Sequence, residues 1–186
     1  MAALRPYVER GVPVVGLEPS CLFGLRDEFM VMLPGPEAEA LAGRALLLEE
    51  FLAAEHEAGR LRLDLGAIAP RRVLLHGHCH QKAFAAMSAV EATLRLVPGI
   101  EVETVQSSCC GMAGAFGYCA ETYEVSMKMG ELSLLPAVRA AAGDTLIVAD
   151  GTSCRQQIGD GAGRDAVHAV RVLDMALTKR PEEVSP

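Results

Sequence analysis

Short apolar segments that alternate with helix-forming segments constrain the fold of this 186-residue chain more than any other feature. Three of the apolar segments span residues 72–76, 100–105 and 145–149. Helix-forming stretches follow them at 82–96, at 121–142 with a break near Pro136, and at 164–177. Strands that alternate with helices are typical of parallel sheets, because a parallel connection needs a long crossover. The sequence therefore predicts an α/β fold with a mostly parallel sheet flanked by helices.

The first third of the chain repeats part of this pattern. It is predicted to contain the end of a helix at 5–10, a strand at 12–17, and helices at 22–33 and 38–58. The segment Val14–Cys21 resembles Ile147–Cys154, since both have an apolar strand, an acidic residue, a turn former and Ser-Cys before a helix. This echo predicts a pseudo-duplicated fold whose two halves are related.

The two predicted halves are unequal. Residues 67–186 contain three cysteine-bearing segments and are predicted to be a complete repeat. Residues 1–66 contain only the last of these segments, followed by connecting helices. The earlier cysteines of this first repeat would lie before Met1, so we expect the first half to be truncated.

Composition narrows the class of protein. Hydrophobic residues make up 51% of the chain and charged residues 22%, which is typical of a globular domain. The net charge of −7 argues against a nucleic-acid partner. No signal-peptide pattern and no apolar stretch of about 18 residues is present, so no direct membrane span is predicted. Cysteines without a secretory signal fit a reducing compartment, so we expect a cytoplasmic protein that reaches the inner membrane, if at all, through partners.

Five of the six cysteines follow predicted strands directly. They are Cys21, Cys79, Cys109, Cys110 and Cys154. Ligands bind at the carboxyl ends of the strands in parallel sheets, so these five residues are predicted to share one functional edge. Cys119 lies at a predicted helix start and is interpreted as a bystander.

The adjacent pair Cys109-Cys110 favours metal binding. Neighbouring cysteines are poor disulfide partners, because closing so small a ring strains the peptide between them. Gly111 lets the backbone approach a bulky group closely. Thiolates are soft ligands suited to iron–sulfur clusters and to zinc. We therefore predict an iron–sulfur site, with zinc or a mixed metal site as an alternative.

Chemistry without a metal stays open at this stage. Clustered thiols can exchange disulfides, and a cysteine–histidine pair can act as a hydrolytic nucleophile. The sequence has no Cys-x-x-Cys motif, which disfavours disulfide exchange. It also has more clustered cysteines than a hydrolytic cysteine–histidine pair needs. The glycine-rich segment Gly111–Gly117 reads Gly-x-x-Gly-x-x-Gly and not Gly-x-Gly-x-x-Gly, so a flavin or nicotinamide site within this chain is not predicted.

Residues next to the cysteines are predicted to tune the site, since hydrogen bonds to sulfur adjust reduction potentials. The candidates are His78, His80, Ser153 and Gly111. His76, His78 and His80 alternate around Cys79, and a zinc site formed by Cys79 with histidines is the alternative. His56 and His168 have no motif around them and are predicted to be structural.

Three motifs together resemble the cysteine-rich CCG-domain family: His78-Cys79-His80, Cys109-Cys110-Gly111 and Ser153-Cys154. The stretches Cys110–Tyr118 and Ala149–Ile158 resemble the C-terminal iron–sulfur region of flavin-linked 2-hydroxy acid oxidoreductases. These are of the D-lactate dehydrogenase and glycolate oxidase iron–sulfur subunit type, with heterodisulfide reductase more distant. The resemblance covers nearly the whole chain, because Glu18-Pro19-Ser20-Cys21 is similar to the end of a preceding repeat.

The resemblance implies an electron-transfer role. It implies a [4Fe–4S] cluster, cubane or non-cubane, held by Cys79, Cys109, Cys110 and Cys154, with Cys21 as a further ligand. FAD on a separate domain or subunit would oxidise a lactate- or glycolate-type substrate. Electrons would pass through this cluster and a ferredoxin-like iron–sulfur portion to an acceptor. An isolated fragment would be prone to lose the cluster in air.

The chain departs from the family pattern at two positions. Gln157 stands where the final Cys-x-x-Cys of the family has its second cysteine, and Gly24 stands at the equivalent position after Cys21. The cluster could therefore have four cysteine ligands or take Cys21 as a fifth. The alternative functions are a thiol–disulfide reductase module of heterodisulfide type and a zinc-stabilised interaction subunit without a redox role.

Overall fold

The computed structural model describes residues 1–178, which form two parallel sheets surrounded by helices. The strands in this range are β1 (Val14–Gly16), β2 (Ala45–Leu47), β3 (Arg72–His76), β4 (Glu101–Thr104), β5 (Leu146–Ala149) and β6 (Ala166–Val167). The helices are α1 (Arg5–Val8), α2 (Pro19–Gly24), α3 (Glu28–Met32), α4 (Pro36–Ala42), α5 (Leu48–Glu57), α6 (Cys79–Ala83), α7 (Met87–Leu94), α8 (Ala120–Glu131), α9 (Leu134–Ala140), α10 (Thr152–Ala162) and α11 (Ala169–Ala176). The predicted α/β architecture with a parallel, helix-flanked sheet is confirmed. Of the predicted second repeat, residues 179–186 lie outside the described range.

The main sheet has the strand order β4-β3-β5-β6, and every pair in it is parallel. Strand β3 pairs with β4 through Val73 and Val102 and with β5 through Leu75 and Val148. The two central strands β3 and β5 are almost continuously apolar, as expected for parallel strands that are covered on both faces. Since all four strands run the same way, their carboxyl ends lie at one edge of the sheet.

The two faces of this sheet have separate hydrophobic cores. Val73, Leu75 and Val148 point to one face, where helices α7 and α11 pack. Leu74 and Ile147 point to the other face, where α9 and α10 pack. Successive side chains of a strand alternate between faces, so these short apolar runs supply both cores at once.

The small sheet pairs β1 with β2 in parallel and has a core of its own. Phe23 of α2 is completely buried in this core. Its ring stacks on the ring of Phe84 with centroids 4.7 Å apart, just beyond the end of α6. This contact connects the first part of the chain to the helix that begins at Cys79.

The prediction of one or two helices over 38–58 agrees with α4 and α5 but misses strand β2 at Ala45–Leu47 between them. Ala and Leu favour helices by intrinsic propensity, but here pairing with β1 and burial outweigh that preference. The predicted helix 22–33 is divided into α2 and α3, 82–96 into α6 and α7, and 121–142 into α8 and α9. The prediction of a helix over 164–177 is correct for α11 but wrong at Ala166–Val167, which form the short strand β6.

Three cysteine-bearing segments that the sequence predicts as loops are the first turns of helices. Cys79 is the first residue of α6, and Cys154 is the third residue of α10. Cys21 likewise lies in α2. The backbone N–H groups of a first helical turn have no partner within the helix, so a thiolate placed there is favoured. Across the described residues, no helix combines the length and the apolar character needed to cross a membrane.

Candidate metal centre

Four cysteines meet at the carboxyl edge of the main sheet. Cys79 follows β3, Cys109 and Cys110 follow β4, and Cys154 follows β5, so they come from three adjacent strands. All four line one cavity of about 410 Å³. None of them forms a disulfide. The sequence places these cysteines far apart, and the parallel topology brings them together.

The four thiols form a continuous chain of contacts. Hydrogen bonds from the thiols of Cys110 and Cys79 lower the pKa of Cys109. Donation to Cys109 raises the pKa of both Cys110 and Cys79. At the far end, a hydrogen bond from Cys110 lowers the pKa of Cys154 to about 5, with a smaller contribution from His76. The contacts therefore favour thiolates at Cys109 and Cys154 and protonated thiols at Cys79 and Cys110, with the single S–H of Cys110 shared between its two neighbours.

Two glycines allow the cysteine segments to approach closely. Gly111 has φ +101°, and a Cβ atom there would overlap the backbone oxygen of Ser126. Its N–H donates to the Cys109 sulfur at 3.3 Å. At Gly151, a Cβ atom would lie 2.5 Å from His78 Cδ2. Side chains at these positions would push the segments apart, so both glycines help to define the site.

Gln157 has a structural role at the position where the family pattern has a cysteine. Its amide Nε2 donates to the backbone oxygen of Cys110 at 3.0 Å and to the backbone oxygen and the hydroxyl of Ser126, each at 3.2 Å. The side chain is only 2% exposed and does not line the cysteine cavity. Gln157 therefore holds the backbone of Cys110 in place without lining the cavity itself.

Further hydrogen bonds fix the cysteine-bearing segments relative to one another. Gln81 accepts from the N–H of His78 at 2.9 Å and donates to Asp150 Oδ2 at 2.7 Å, which joins α6 to the end of β5. Lys82 Nζ donates to the backbone oxygens of Ser107 and Ser108 at 2.5 and 2.8 Å, which joins α6 to the loop before Cys109. These bonds position Cys79 relative to the other three cysteines.

The histidines occupy three different environments. His78 caps α6, accepting from the N–H of His80 at 3.2 Å, and burial lowers its pKa. His80 also lines the cavity, and its buried Nδ1 has no hydrogen-bond partner. His76 has a buried Nε2 without a hydrogen-bond partner, and one of its ring nitrogens lies within 4.8 Å of the sulfurs of Cys110 and Cys154. The sequence singles out His76 together with His78 and His80 through their alternation around Cys79, although His76 is not among the candidate tuning residues.

Two cysteines lie away from this set. Cys21 is exposed and is absent from the cavity wall, although its neighbour Ser20 contributes to that wall. Cys119 is exposed and its thiol donates to the backbone oxygen of Ala115 at 3.6 Å. Ser153, another predicted site residue, does line the cavity. The geometry therefore brings together four of the five cysteines predicted to share an edge.

The donor set fits a soft metal or an iron–sulfur cluster. Four unbridged sulfurs line one cavity, and His80, whose buried Nδ1 has no hydrogen-bond partner, lines it too. Cys154 also lies in the first turn of the eleven-residue helix α10, where the helix dipole stabilises negative charge. The fold and this edge together define a cysteine-lined centre of a parallel α/β sheet.

Known proteins with similar sequences are dehydrogenase components. The chain is 29% identical over 168 residues to a subunit of the anaerobic glycerol-3-phosphate dehydrogenase of Escherichia coli K12, covering 90% of this chain and 41% of that protein. It is 30% identical over 171 residues to the D-2-hydroxyglutarate dehydrogenase of Escherichia coli K12, covering 91% of this chain and 16% of that protein. It is 28% identical over 173 residues to the D-2-hydroxyglutarate dehydrogenase of Pseudomonas putida, covering 91% of this chain and 16% of that protein.

The chain thus spans less than half the length of these curated relatives. No family model and no solved structure gives a significant match. The similarity covers nearly all of this chain and relates it distantly to parts of oxidoreductases.

Proposed function

We propose that this chain is the iron–sulfur electron-transfer portion of an FAD-linked dehydrogenase. The observation that supports this most directly is the convergence of Cys79, Cys109, Cys110 and Cys154 on one cavity. The two Escherichia coli relatives, of which this chain matches part of a subunit in one case and a smaller segment of the enzyme in the other, support the same class. An enzyme of this class needs a site that accepts electrons one at a time from a two-electron donor.

In this proposal the four thiolates hold the iron. A bound [4Fe–4S] cluster supplies one-electron transfer at a potential that its surroundings adjust. The N–H of Gly111, which donates to the Cys109 sulfur, would stabilise the reduced, more negative form. The first turn of α10 would act in the same direction at Cys154. Substitution of Cys21 decides whether that residue adds a fifth ligand.

The proposed substrate is a secondary alcohol, with a 2-hydroxy acid as the leading class. D-2-hydroxyglutarate and glycerol 3-phosphate, named in the two relatives, both carry a secondary hydroxyl. Oxidation to the ketone would take place at FAD on a separate domain or subunit. We propose that this flavin portion and a ferredoxin-like iron–sulfur portion are the partners, and that residues 1–66 and 67–186 are two related repeats. The separation of the β1–β2 sheet from the main sheet supports this division.

Anaerobic reconstitution tests the proposal. The chain would be incubated with ferrous iron and sulfide under reductant, desalted, and assayed for iron, acid-labile sulfide and an EPR signal after dithionite reduction. We expect iron and sulfide in equal amounts and a paramagnetic reduced state. Cys109→Ser and Cys110→Ser should lose the cluster, whereas Cys119→Ser, a matched change at an exposed thiol outside the cavity, should keep it.

Equal iron in all of these variants would refute the ligand assignment. Retained zinc with no iron would favour the zinc-stabilised subunit, for which His76, Cys110 and Cys154 already lie close together. A thiol–disulfide reductase module is the second candidate, because the thiols of Cys79 and Cys109 and those of Cys110 and Cys154 are in contact. Reduction of a small disulfide by the metal-free chain, with a matching loss of two free thiols, would favour that function.

A further inference from the structure

A second cluster of ionisable side chains lies in the interior, outside the cysteine cavity. Its members are Glu49 in the first turn of α5, Asp150 after β5, and His168 after β6. His168 Nδ1 is 3.4 Å from Asp150 Oδ1 and 3.7 Å from Glu49 Oε1. Glu49, Asp150 and His168 are 1%, 1% and 8% exposed. None of them lines the cysteine cavity.

The carboxyl group of Glu49 has no hydrogen-bond donor. Both of its oxygens are buried without a partner. Asp150, in contrast, accepts from the N–H of Ala169 at 2.9 Å and from Gln81 at 2.7 Å. Burial, together with the nearby charge of Asp150, raises the pKa of Glu49 to about 8. A buried carboxyl that faces another carboxylate and has no donor calls for a proton or a cation between them.

The imidazole of His168 faces the same two carboxyl groups. Its Nε2 lies 2.9 Å from the backbone oxygen of Leu17, which can only accept, so Nε2 carries the proton. Nδ1 is then unprotonated and faces both carboxyl groups. Its single lone pair accepts from the N–H of Val170 at 3.1 Å, a bond that an ion at this point would displace. A histidine whose second nitrogen donates to a backbone oxygen is the usual arrangement of a metal ligand.

We propose that Glu49, Asp150 and His168 form a buried site for a divalent ion of the Zn²⁺ type. Nitrogen and oxygen ligands of tetrahedral zinc lie about 2.0–2.2 Å from the ion, so they are about 3.4 Å from each other. The observed separations of 3.4 and 3.7 Å match this spacing. Two carboxylates and one neutral imidazole balance the charge of the ion, and a water would complete the coordination.

The ion would fasten the first part of the chain to the main sheet. Glu49 follows β2, whereas Asp150 and His168 follow β5 and β6. Asp150 also accepts a hydrogen bond from Gln81, which lies on the helix that begins at Cys79. A bound ion would therefore also restrain the helix that carries Cys79. The ligands are nitrogen and oxygen atoms, and the site does not depend on whether the cysteines hold iron.

Zinc stoichiometry tests the site with matched variants. The full chain, stripped with a chelator under reductant, would be saturated with Zn²⁺ alone, desalted and measured by elemental analysis and thermal melting. Glu49→Gln keeps the shape of the side chain and loses no hydrogen bond. Glu57→Gln makes the same change at the exposed end of the same helix. We expect Glu49→Gln to bind one Zn²⁺ fewer than the wild type and Glu57→Gln to match the wild type.

His168→Asn tests the same site at a second ligand. Asn can still cap α11, so this variant is expected to fold. It should also bind one Zn²⁺ fewer, and the rise in melting temperature that Zn²⁺ gives the wild type should shrink in both site variants. The proposal is overturned if the wild type and every site variant that folds have the same zinc content and the same Zn²⁺-dependent rise in melting temperature. Glu49, Asp150 and His168 would then share only a proton. Zinc held by the cysteines is common to all these proteins and cancels from the comparison.

Discussion

The two Ser-Cys segments of this chain have similar sequences and different surroundings. Cys154 follows β5, is 1% exposed, and contacts Cys110 and His76. Cys21 follows β1 in the same way but is exposed and lies outside the cavity wall. The local sequence places both thiols in the first turn of a helix after a parallel strand. A strand-end cysteine therefore becomes a candidate ligand only when neighbouring strands deliver others beside it.

The neighbouring strands explain the difference. Strand β5 pairs with β3, and β3 pairs with β4, so three cysteine-bearing ends lie side by side. Strand β1 pairs only with β2 in the described part of the chain, and the segment after β2 continues into α5 without a cysteine. Substitutions at matched positions in the two regions test whether the neighbouring strands cause this difference.

The largest expected effect is at the two cysteines themselves. Cys154→Ser should lose nearly all iron after anaerobic reconstitution, because it removes a buried sulfur from the four-thiol set. Cys21→Ser should keep the iron content and the EPR signal of the wild type. If Cys21→Ser lost as much iron as Cys154→Ser, Cys21 would be a ligand, and the contrast between the two regions would fail.

The next effect is expected at Gly111, which has no counterpart in the first region. Gly111→Ala should lower the free energy of unfolding by about 3 kcal/mol or more, because the new Cβ would strain a left-handed backbone and overlap a backbone oxygen. Urea denaturation measures this loss. Gly159→Ala, in the interior of α10 with open space around it, should instead gain up to about 1 kcal/mol. Similar values for both variants would show that the turn at Gly111 relaxes freely.

Gln157 should give a somewhat smaller effect than Gly111. Its counterpart after Cys21 is Gly24, which has no side chain to hold the backbone. Gln157→Leu should cost about 2–3 kcal/mol, because the buried oxygens of Cys110 and Ser126 would lose their donor. Gln156→Leu, exposed on the same helix, should change stability by less than about 0.5 kcal/mol. A Gln157→Leu protein as stable as the wild type would mean that these oxygens find another donor.

The fold was largely predictable because its signals are local. The strands predicted at 72–76, 100–105 and 145–149 correspond to β3, β4 and β5, since short apolar runs between turn formers leave few alternatives. The convergence of the cysteines followed from one topological rule about the carboxyl ends of parallel strands. Strand β2 was missed because Ala45-Leu46-Leu47 favours a helix until β1 is there to pair with it.

The parts of the site that sequence did not reveal depend on contacts between distant residues. The sequence notes His76 beside Cys79, but only the structure shows that its Nε2 has no partner and that the residue lies near Cys110 and Cys154. Gln157 reads as a lost ligand in the sequence, but in the structure it holds the Cys110 backbone. His168 has no motif around it, and only the fold brings it beside two carboxyl groups. Side-chain environments of this kind are set by packing, which a single sequence does not encode locally.

The smallest predicted effect concerns the link between the two regions. Glu18 Oε2 accepts from the N–H and the hydroxyl of Thr152 at 2.9 and 2.8 Å, so a carboxylate of the first region caps the helix that carries Cys154. Glu18→Gln should cost about 1 kcal/mol at pH 7, which is typical of losing a helix cap. Glu57→Gln, an exposed change in the first region, should cost almost nothing and serves as the control.

The pH dependence of that cost tests whether the charge of Glu18 is responsible. Burial would raise the pKa of Glu18, but the hydrogen bonds from Thr152 outweigh it and lower the pKa below its ordinary value of 4.5. Because the pKa is lower in the folded state than in the unfolded state, the carboxylate stabilises the fold above pH 4.5. That contribution is lost as the pH falls through the folded-state pKa. Urea denaturation should therefore show the difference between wild type and Glu18→Gln shrinking in acid, whereas a constant difference would assign the link to shape and not to charge.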